Sequence, residues 1–216
     1  MSLTLHFHPL ASFCQKALIG LYELNVPFER RVVDLGNPSE RAAFLELWPI
    51  GKFPVLRDES RGITVPESSL VLEYIDQRYA AQPSLIPTDP DLARECRLRD
   101  HFYDLYVNVP MGKIVADKLR PEAKRDPLGV EQARAQLQTS YAVADEWMRA
   151  GTTWAIGDTF TLADCAAAPA LFYANQVAPF GESHRHLSAY FNRLSERPSF
   201  ARVIAEAKPY WSMFPG

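Results

Sequence analysis

The chain of 216 residues has three cysteines only, Cys14, Cys96 and Cys165. They are odd in number and far apart, so neither a full disulfide framework nor a zinc ligand set can be assembled from them, and a reducing compartment is expected. There is no apolar run of about 18 residues, which excludes a membrane-spanning helix from the expectation. The opening Met-Ser-Leu-Thr-Leu-His has no basic region and no long apolar stretch of the kind a secretory signal carries, so a cytoplasmic protein is expected. Charge of one sign is also missing. With 23 basic and 26 acidic residues the net charge is -3, and no run of like charge is longer than a few positions. Nothing here is suited to neutralising a nucleic-acid backbone or an anionic bilayer. Internal repeats and low-complexity segments are absent too. What remains is an ordinary globular composition, 47% hydrophobic and 12% aromatic, able to bury a sizeable core. At a prior of about 150 residues per domain, the length leaves one large domain or two modest ones.

The order of elements divides the chain. Leu3, Leu5 and Phe7 alternate with Thr4, His6 and His8, a strand period that Pro9 ends. Phe13, Ala17, Leu18, Leu21 and Tyr22 then recur at helical spacing up to Asn25-Val-Pro27. A second strand over about 28–34 completes a βαβ unit, whose strands are parallel and whose crossover is right-handed. Asn37-Pro-Ser39 opens a short helix that Trp48-Pro-Ile-Gly51 closes. Pro54 to Arg57 and Ile63 to Val65 read as a hairpin, and a helix over 68–79 completes the order βαβαββα. Three of the 17 prolines, at 83, 87 and 90, then fall within eight residues, which suits an extended connector. Beyond it only helical periodicity appears, over about 91–119, 127–149, 161–176, 187–196 and 198–207. The expected architecture is an α/β domain over 1–81, a linker over 82–90 and an all-helical domain over 91–216.

Four segments carry candidate chemistry. Pro9 to Lys16 joins the first strand to the first helix, where free N–H groups and the positive end of the helix dipole favour an anion such as a thiolate. Ser12 is there as a hydrogen-bond donor or simply as the helix cap. Cys14, in the same turn, is either an activated thiol or a small buried residue. Position 11 is Ala, so no Cys-x-x-Cys pair exists. Gly51-Lys-Phe-Pro-Val55 enters a strand through Pro54, a position that accommodates a cis bond or an ordinary trans one and leaves nearby peptide groups open to an extended peptide. Glu67 and Ser68, before an apolar helix, suit an amino-acid head group, since a carboxylate meets its ammonium while hydroxyl and amide donors meet its carboxylate. Thr161-Leu-Ala-Asp164 has the spacing of a capping box with Phe160 as its staple, a folding role. His184 and His186, in a polar loop without further ligands, give no metal site.

Together these segments resemble the glutathione transferases over essentially the whole chain, most specifically through Trp48-Pro-x-Gly-Lys-Phe-Pro-Val-Leu56 and Pro66-Glu-Ser68. The resemblance implies a thioredoxin-like first domain that binds glutathione as co-substrate, followed by a helical-bundle domain that holds a small apolar electrophile. It implies a cis Pro54, the backbone of Phe53 on the cysteinyl portion, Glu67 and Ser68 on the γ-glutamyl head group and Lys52 at the glycyl end. A homodimer is implied as well. The reaction it implies is conjugation of the glutathione thiolate, or reduction of a peroxide by the same thiolate. The family's usual serine or cysteine falls on Ala11 here, so Ser12, one residue later, is the catalytic candidate, with Cys14 behind it. Tyr103, Tyr106 and Met111, on the first helix after the connector, are the candidate substrate wall, with a plain core role as the other possibility. Two other functions stay open, a non-catalytic glutathione-binding module on the same scaffold and a glutathione-dependent isomerase, which Ala-Ser-Phe-Cys-Gln-Lys fits poorly.

Overall fold

A computed structural model describes residues 3–80 and 84–215. Pro83, the first proline of the expected connector, lies with Ala81 and Gln82 outside the described residues. Strand β1 (Leu3–Phe7) buries Leu3, Leu5 and Phe7 on one side, as its alternation requires. It runs parallel to β2 (Glu29–Val32) and antiparallel to β3 (Val55–Asp58), which pairs antiparallel with β4 (Ile63–Pro66), so the sheet order is β2-β1-β3-β4. Leu5, Leu56 and Val65 lie side by side across three strands. Edge strand β2 carries exposed Glu29, Arg30 and Arg31, charges that discourage pairing with another chain.

Helix α1 (Ser12–Glu23) is buried on every side from Cys14 to Leu21, Gln15 and Lys16 included. It is not a surface helix because α3 (Ser68–Arg78) lies against one side of it, and α7 (Leu162–Val177) and α9 (Pro198–Ala207) against others. Gly20 permits the approach of α3, since a Cβ there would stand 2.3 Å from Leu72 Cδ2. Helix α2 (Pro38–Leu47) starts as its sequence suggests, with Asn37 Oδ1 accepting from the amides of Ser39 and Glu40.

The helical half consists of α4 (Pro90–Phe102), α5 (Val109–Lys118), α6 (Pro127–Met148), α7, α8 (Arg185–Glu196) and α9. Alanine-rich α7 is buried nearly throughout and packs against α1 and α4. The single helix expected over 91–119 is interrupted: residues 103–108 form a π-helical turn between α4 and α5. Pro110 supplies the reason. It has no N–H for the carbonyl of Tyr106, which accepts instead from Ser140 Oγ on α6 at 2.7 Å. After α9, residues 208–213 form a 3₁₀ segment that sequence periodicity did not mark.

No described helix is long and apolar enough to cross a membrane. Among the described residues, no group of three or more His, Cys, Asp or Glu side chains is placed to hold a metal ion.

Candidate functional site

Two helices begin on one concavity, and neither is closed by a side-chain cap. At α1 the N-cap is Ala11, so Ser12 is the first helical residue rather than the cap. At α3 the N-cap is Glu67, held at φ 67° and ψ 123°, outside the regions comfortable for a residue with a Cβ. Such a conformation costs about 1–3 kcal/mol and persists only where the surroundings impose it. The first-turn amides of both helices therefore remain available as donors, and both dipoles favour negative charge between them.

The concavity measures about 440 Å³ and is lined by Ala11, Ser12, Phe13, Leu35, Gly51, Lys52, Phe53, Pro54, Glu67 and Ser68. This volume is within the range of small-ligand sites. Gly51, at φ 67°, turns the chain after α2 into the Lys52-Phe53 segment, and the Phe53–Pro54 bond that follows is cis. Neither the amide nor the carbonyl of Phe53 makes a backbone hydrogen bond among the described residues, although β3 starts two residues later. Ser68 is buried at the mouth of α3, while Lys52 and Glu67 are exposed.

A second concavity of about 310 Å³ shares Ala11, Ser12 and Phe53 with the first. Its walls are mainly apolar: Leu10, Met111, Val115 and Leu119, together with Met213, Phe214 and Pro215 from the chain's last segment. Met111 is in this wall. Tyr103 and Tyr106 are not, because the π turn redirects them. Tyr103 is 1% exposed and packs edge-on to Phe102 in the core, and Tyr106 is 51% exposed, its ring tilted against that of Phe102.

Ser12 Oγ donates to Asn108 Oδ1 at 2.7 Å, a partner 96 positions away that the π turn presents. Cys14 is fully buried beneath the first turn. Burial pushes its thiol far above the ordinary value, with the backbone of His8 pulling weakly the other way, so it stays protonated and away from either concavity.

Behind the site lies a charge cluster that no local sequence pattern announces. Lys16 Nζ, on α1, is 2.6 Å from Asp100 Oδ1, 2.6 Å from Asp104 Oδ2 and 2.8 Å from Ser69 Oγ, and Lys16 and Asp100 are closed to solvent. Ser69 Oγ donates in turn to Asp100 Oδ2 at 2.7 Å. The cluster ties α1 and the start of α3 to α4 and the π turn. Burial works to lower the pKa of Lys16, and the two carboxylates outweigh it, so the net shift is upward. Asp104 is pushed up to about 6, by burial first and by the like charge of Asp100, against the pull of Lys16. Because this exceeds its ordinary 3.8, the folded chain holds more proton than the unfolded chain between those values. That contribution to stability is complete below the window and lost as pH rises through about 6. Urea titrations at pH 4.5, 6 and 8 are expected to show a smaller decline with rising pH in Asp104→Asn than in the original chain; equal slopes would contradict this assignment.

A four-stranded sheet entered through a cis proline, with two open helix starts beside it and a helical half closing one side, defines a thioredoxin-like ligand-binding fold. The chain matches the glutathione S-transferase N-terminal domain over residues 5–83 and the glutathione S-transferase C-terminal domain over residues 103–198, and it belongs to that family. It is 28% identical over 201 residues to a stringent starvation protein A homolog of Haemophilus ducreyi, covering 91% of this chain and 87% of the relative. It is 24% identical over 192 residues to glutathione S-transferase GstB of Escherichia coli K12, covering 88% and 91%. Among solved structures, a glutathione S-transferase of Methylobacterium radiotolerans in complex with glutathione sulfonate superposes with a TM-score of 0.82 at 25% identity, over 94% of this chain and 95% of that one. Glutathione transferase URE2P8 of Phanerochaete chrysosporium, with oxidized glutathione, shares the fold at a TM-score of 0.86 and 19% identity, over 97% and 96%.

Proposed function

We propose that the protein conjugates the glutathione thiolate to a small apolar electrophile, with residues 1–81 holding glutathione, 82–90 as linker and 91–216 completing the electrophile site. One observation carries this: a single concavity unites Ser12, Lys52, Phe53, Pro54, Glu67 and Ser68 from three separate segments, and it shares Ala11, Ser12 and Phe53 with a second, mainly apolar one. The donor set suits the tripeptide. Lys52 offers a cation to the glycyl carboxylate, and the unpaired peptide groups of Phe53 offer β-type hydrogen bonds to the cysteinyl unit. Ser68 and the open amides of α3 meet the α-carboxylate of the γ-glutamyl group, and Glu67 meets its ammonium. Glutathione supplies the nucleophilic sulfur. Around it, the α1 amides and the Ser12 hydroxyl stabilise negative charge, and the apolar wall of Met111, Val115 and Phe214 holds the partner away from water.

Ser12 can serve the sulfur if the Asn108 amide turns about its last side-chain bond. Its Nδ2–H then donates to Ser12 Oγ and the hydroxyl proton is released toward the thiolate. Hydrogen bonds to charged groups contribute about 1.5–3 kcal/mol, so Ser12→Ala is expected to raise the pKa of the bound thiol by about 1–2 units. Thiolate absorbance titrated against pH reads this directly, together with a fall of about tenfold to a hundredfold in turnover of an aryl halide near neutral pH. Unchanged values would remove Ser12 from the chemistry.

A second function is favoured by the same hydrogen bond as it stands. With its proton committed to Asn108, Ser12 does nothing for a thiol, and the scaffold is a glutathione-binding interaction module, in keeping with the relative named as a stringent starvation protein A homolog. Retention on immobilised glutathione without turnover of an aryl halide or an organic hydroperoxide would favour the module, and failure to be retained would reject both. The expected setting is the cytoplasm, which agrees with three buried free cysteines. The expected partner is a second copy of the chain, which would cover such exposed apolar residues of α3 to α5 as Leu70, Leu98 and Val109.

A further inference from the structure

His8 follows β1 and lines the apolar concavity beside Ser12. Its ring is fixed from three sides. Nδ1 accepts the Leu10 amide at 3.3 Å, one face stacks on Phe53 with 6.1 Å between ring centroids and 19° between planes, and Tyr210 meets it edge-on at 5.6 Å. An imidazole that accepts at Nδ1 while neutral must carry its proton on Nε2. That N–H has no hydrogen-bond partner among the described residues and is not sealed from solvent. Of the other polar side chains of this wall, Ser12 donates to Asn108 or, in the proposed reaction, to the thiolate, and Tyr173, 1% exposed, has its hydroxyl turned to Gln15 Nε2, from which it accepts. Burial lowers the pKa of His8, with Asp34 acting weakly against it, which favours the neutral ring that the geometry requires.

We infer that His8 determines which electrophiles react: its Nε2–H donates to a hydrogen-bond acceptor on the substrate, selecting carbonyl-activated alkenes over electrophiles that lack such an oxygen. This rests on the transferase function proposed above. In the step it assists, the thiolate forms a C–S bond to the β-carbon of an enal and the C=C π pair shifts, so that negative charge builds on the carbonyl oxygen facing His8. The enolate then takes a proton from water at its α-carbon, replacing the one released when the thiol ionised, and no group leaves. A fixed donor stabilises that oxygen more than the neutral carbonyl, so the benefit falls on the transition state.

The test compares trans-2-nonenal with benzyl chloride, which has no carbonyl, in the original chain, His8→Phe and His8→Gln. His8→Phe keeps a ring against Phe53 and removes the donor, and kcat/KM for the enal is expected to fall about a hundredfold, at least tenfold more than for benzyl chloride. His8→Gln restores an N–H and is expected to recover part of the enal rate. Equal losses on both substrates would show a merely packing role and overturn the proposal. Turnover of benzyl chloride but not of the enal by the original chain would overturn it and leave the transferase function standing; turnover of neither would overturn both. Independently of turnover, ¹⁵N spectra of the imidazole should show the Nε2–H tautomer, with a shift at Nε2 on adding 2-nonanone, and the Nδ1–H tautomer would overturn the proposal.

Discussion

Lys16→Met is expected to lower stability by about 3–5 kcal/mol, the largest loss from a single residue at the back of the site. Methionine fills the space of the lysine stem, so little packing is lost, but Asp100 and Asp104 are left as like charges with no cation between them. Breaking a buried ion cluster costs more than the cluster contributes, because the abandoned charges stay desolvated. Two further results follow. The loss should be smaller at pH 5 than at pH 8, since Asp104, already pushed up to about 6 beside Lys16, takes up a proton more readily without it. The triple variant Lys16→Met, Asp100→Asn, Asp104→Asn should recover much of the loss, because no uncompensated charge remains. Urea unfolding at the two pH values measures all three, and a loss below about 1 kcal/mol for Lys16→Met would mean that water reaches the cluster. As Ser69 is one of the contacts of Lys16 and the neighbour of Ser68, weaker glutathione binding should accompany the loss of stability.

Asp164→Ala is expected to cost a comparable amount. Asp164 stands at the third position of α7 and accepts from the Thr161 amide at 2.8 Å and the Thr161 hydroxyl at 3.0 Å, closing the capping box. It does more than cap. Its other oxygen accepts from the Ala155 amide at 2.8 Å and the Tyr190 hydroxyl at 2.6 Å, pinning the turn at 154–159 and α8 to the start of α7. A lone cap is worth about 1 kcal/mol. Here alanine leaves four donors without an acceptor in a closed interior, at roughly 1–3 kcal/mol for each that finds no water, so a total near 4 kcal/mol is expected. For a chain of this length about 2–4 °C accompanies each kcal/mol, so thermal unfolding should move down by about 10 °C. Tyr190→Phe removes one of the four partners and should cost about 1 kcal/mol. A shift for Asp164→Ala no larger than that of Tyr190→Phe would reduce the residue to an ordinary cap.

The two residues differ in how visible they are in the chain. Thr161 and Asp164 are three positions apart, and their interaction follows from the geometry of one helical turn, so spacing alone exposes it. The elements of the first half are legible for the same reason: alternation in β1, Asn37 and Pro38 at the start of α2, and the turn residues that bound the hairpin all act within a few residues. Lys16 shows no such signal. Its partners are 84 and 88 positions away, and only the packing of α1, α4 and the π turn against α7 brings them near. Cys14 reads locally as a thiol at a helix start, yet the packing of α1 seals it. Tyr103 and Tyr106 read as the face of a continuous helix until Pro110 and Ser140 open the π turn and turn them away. The tail at 208–215 carries the aromatic and apolar Tyr210, Met213 and Phe214, but its place beside His8 depends on where α9 ends.

By itself, then, the sequence determined the elements, their order, and the segments with donor chemistry suited to a tripeptide, because hydrogen bonding within a turn and strand or helix periodicity act over short stretches of chain. The tertiary structure decided which of those groups are free to act. Ser12 meets Asn108, Lys16 meets two carboxylates, Cys14 loses its access to solvent, and His8 keeps an open N–H at the apolar wall. Desolvation and long-range pairing depend on what surrounds a group in space, and residues far apart in the chain supply those surroundings only once the helices have packed.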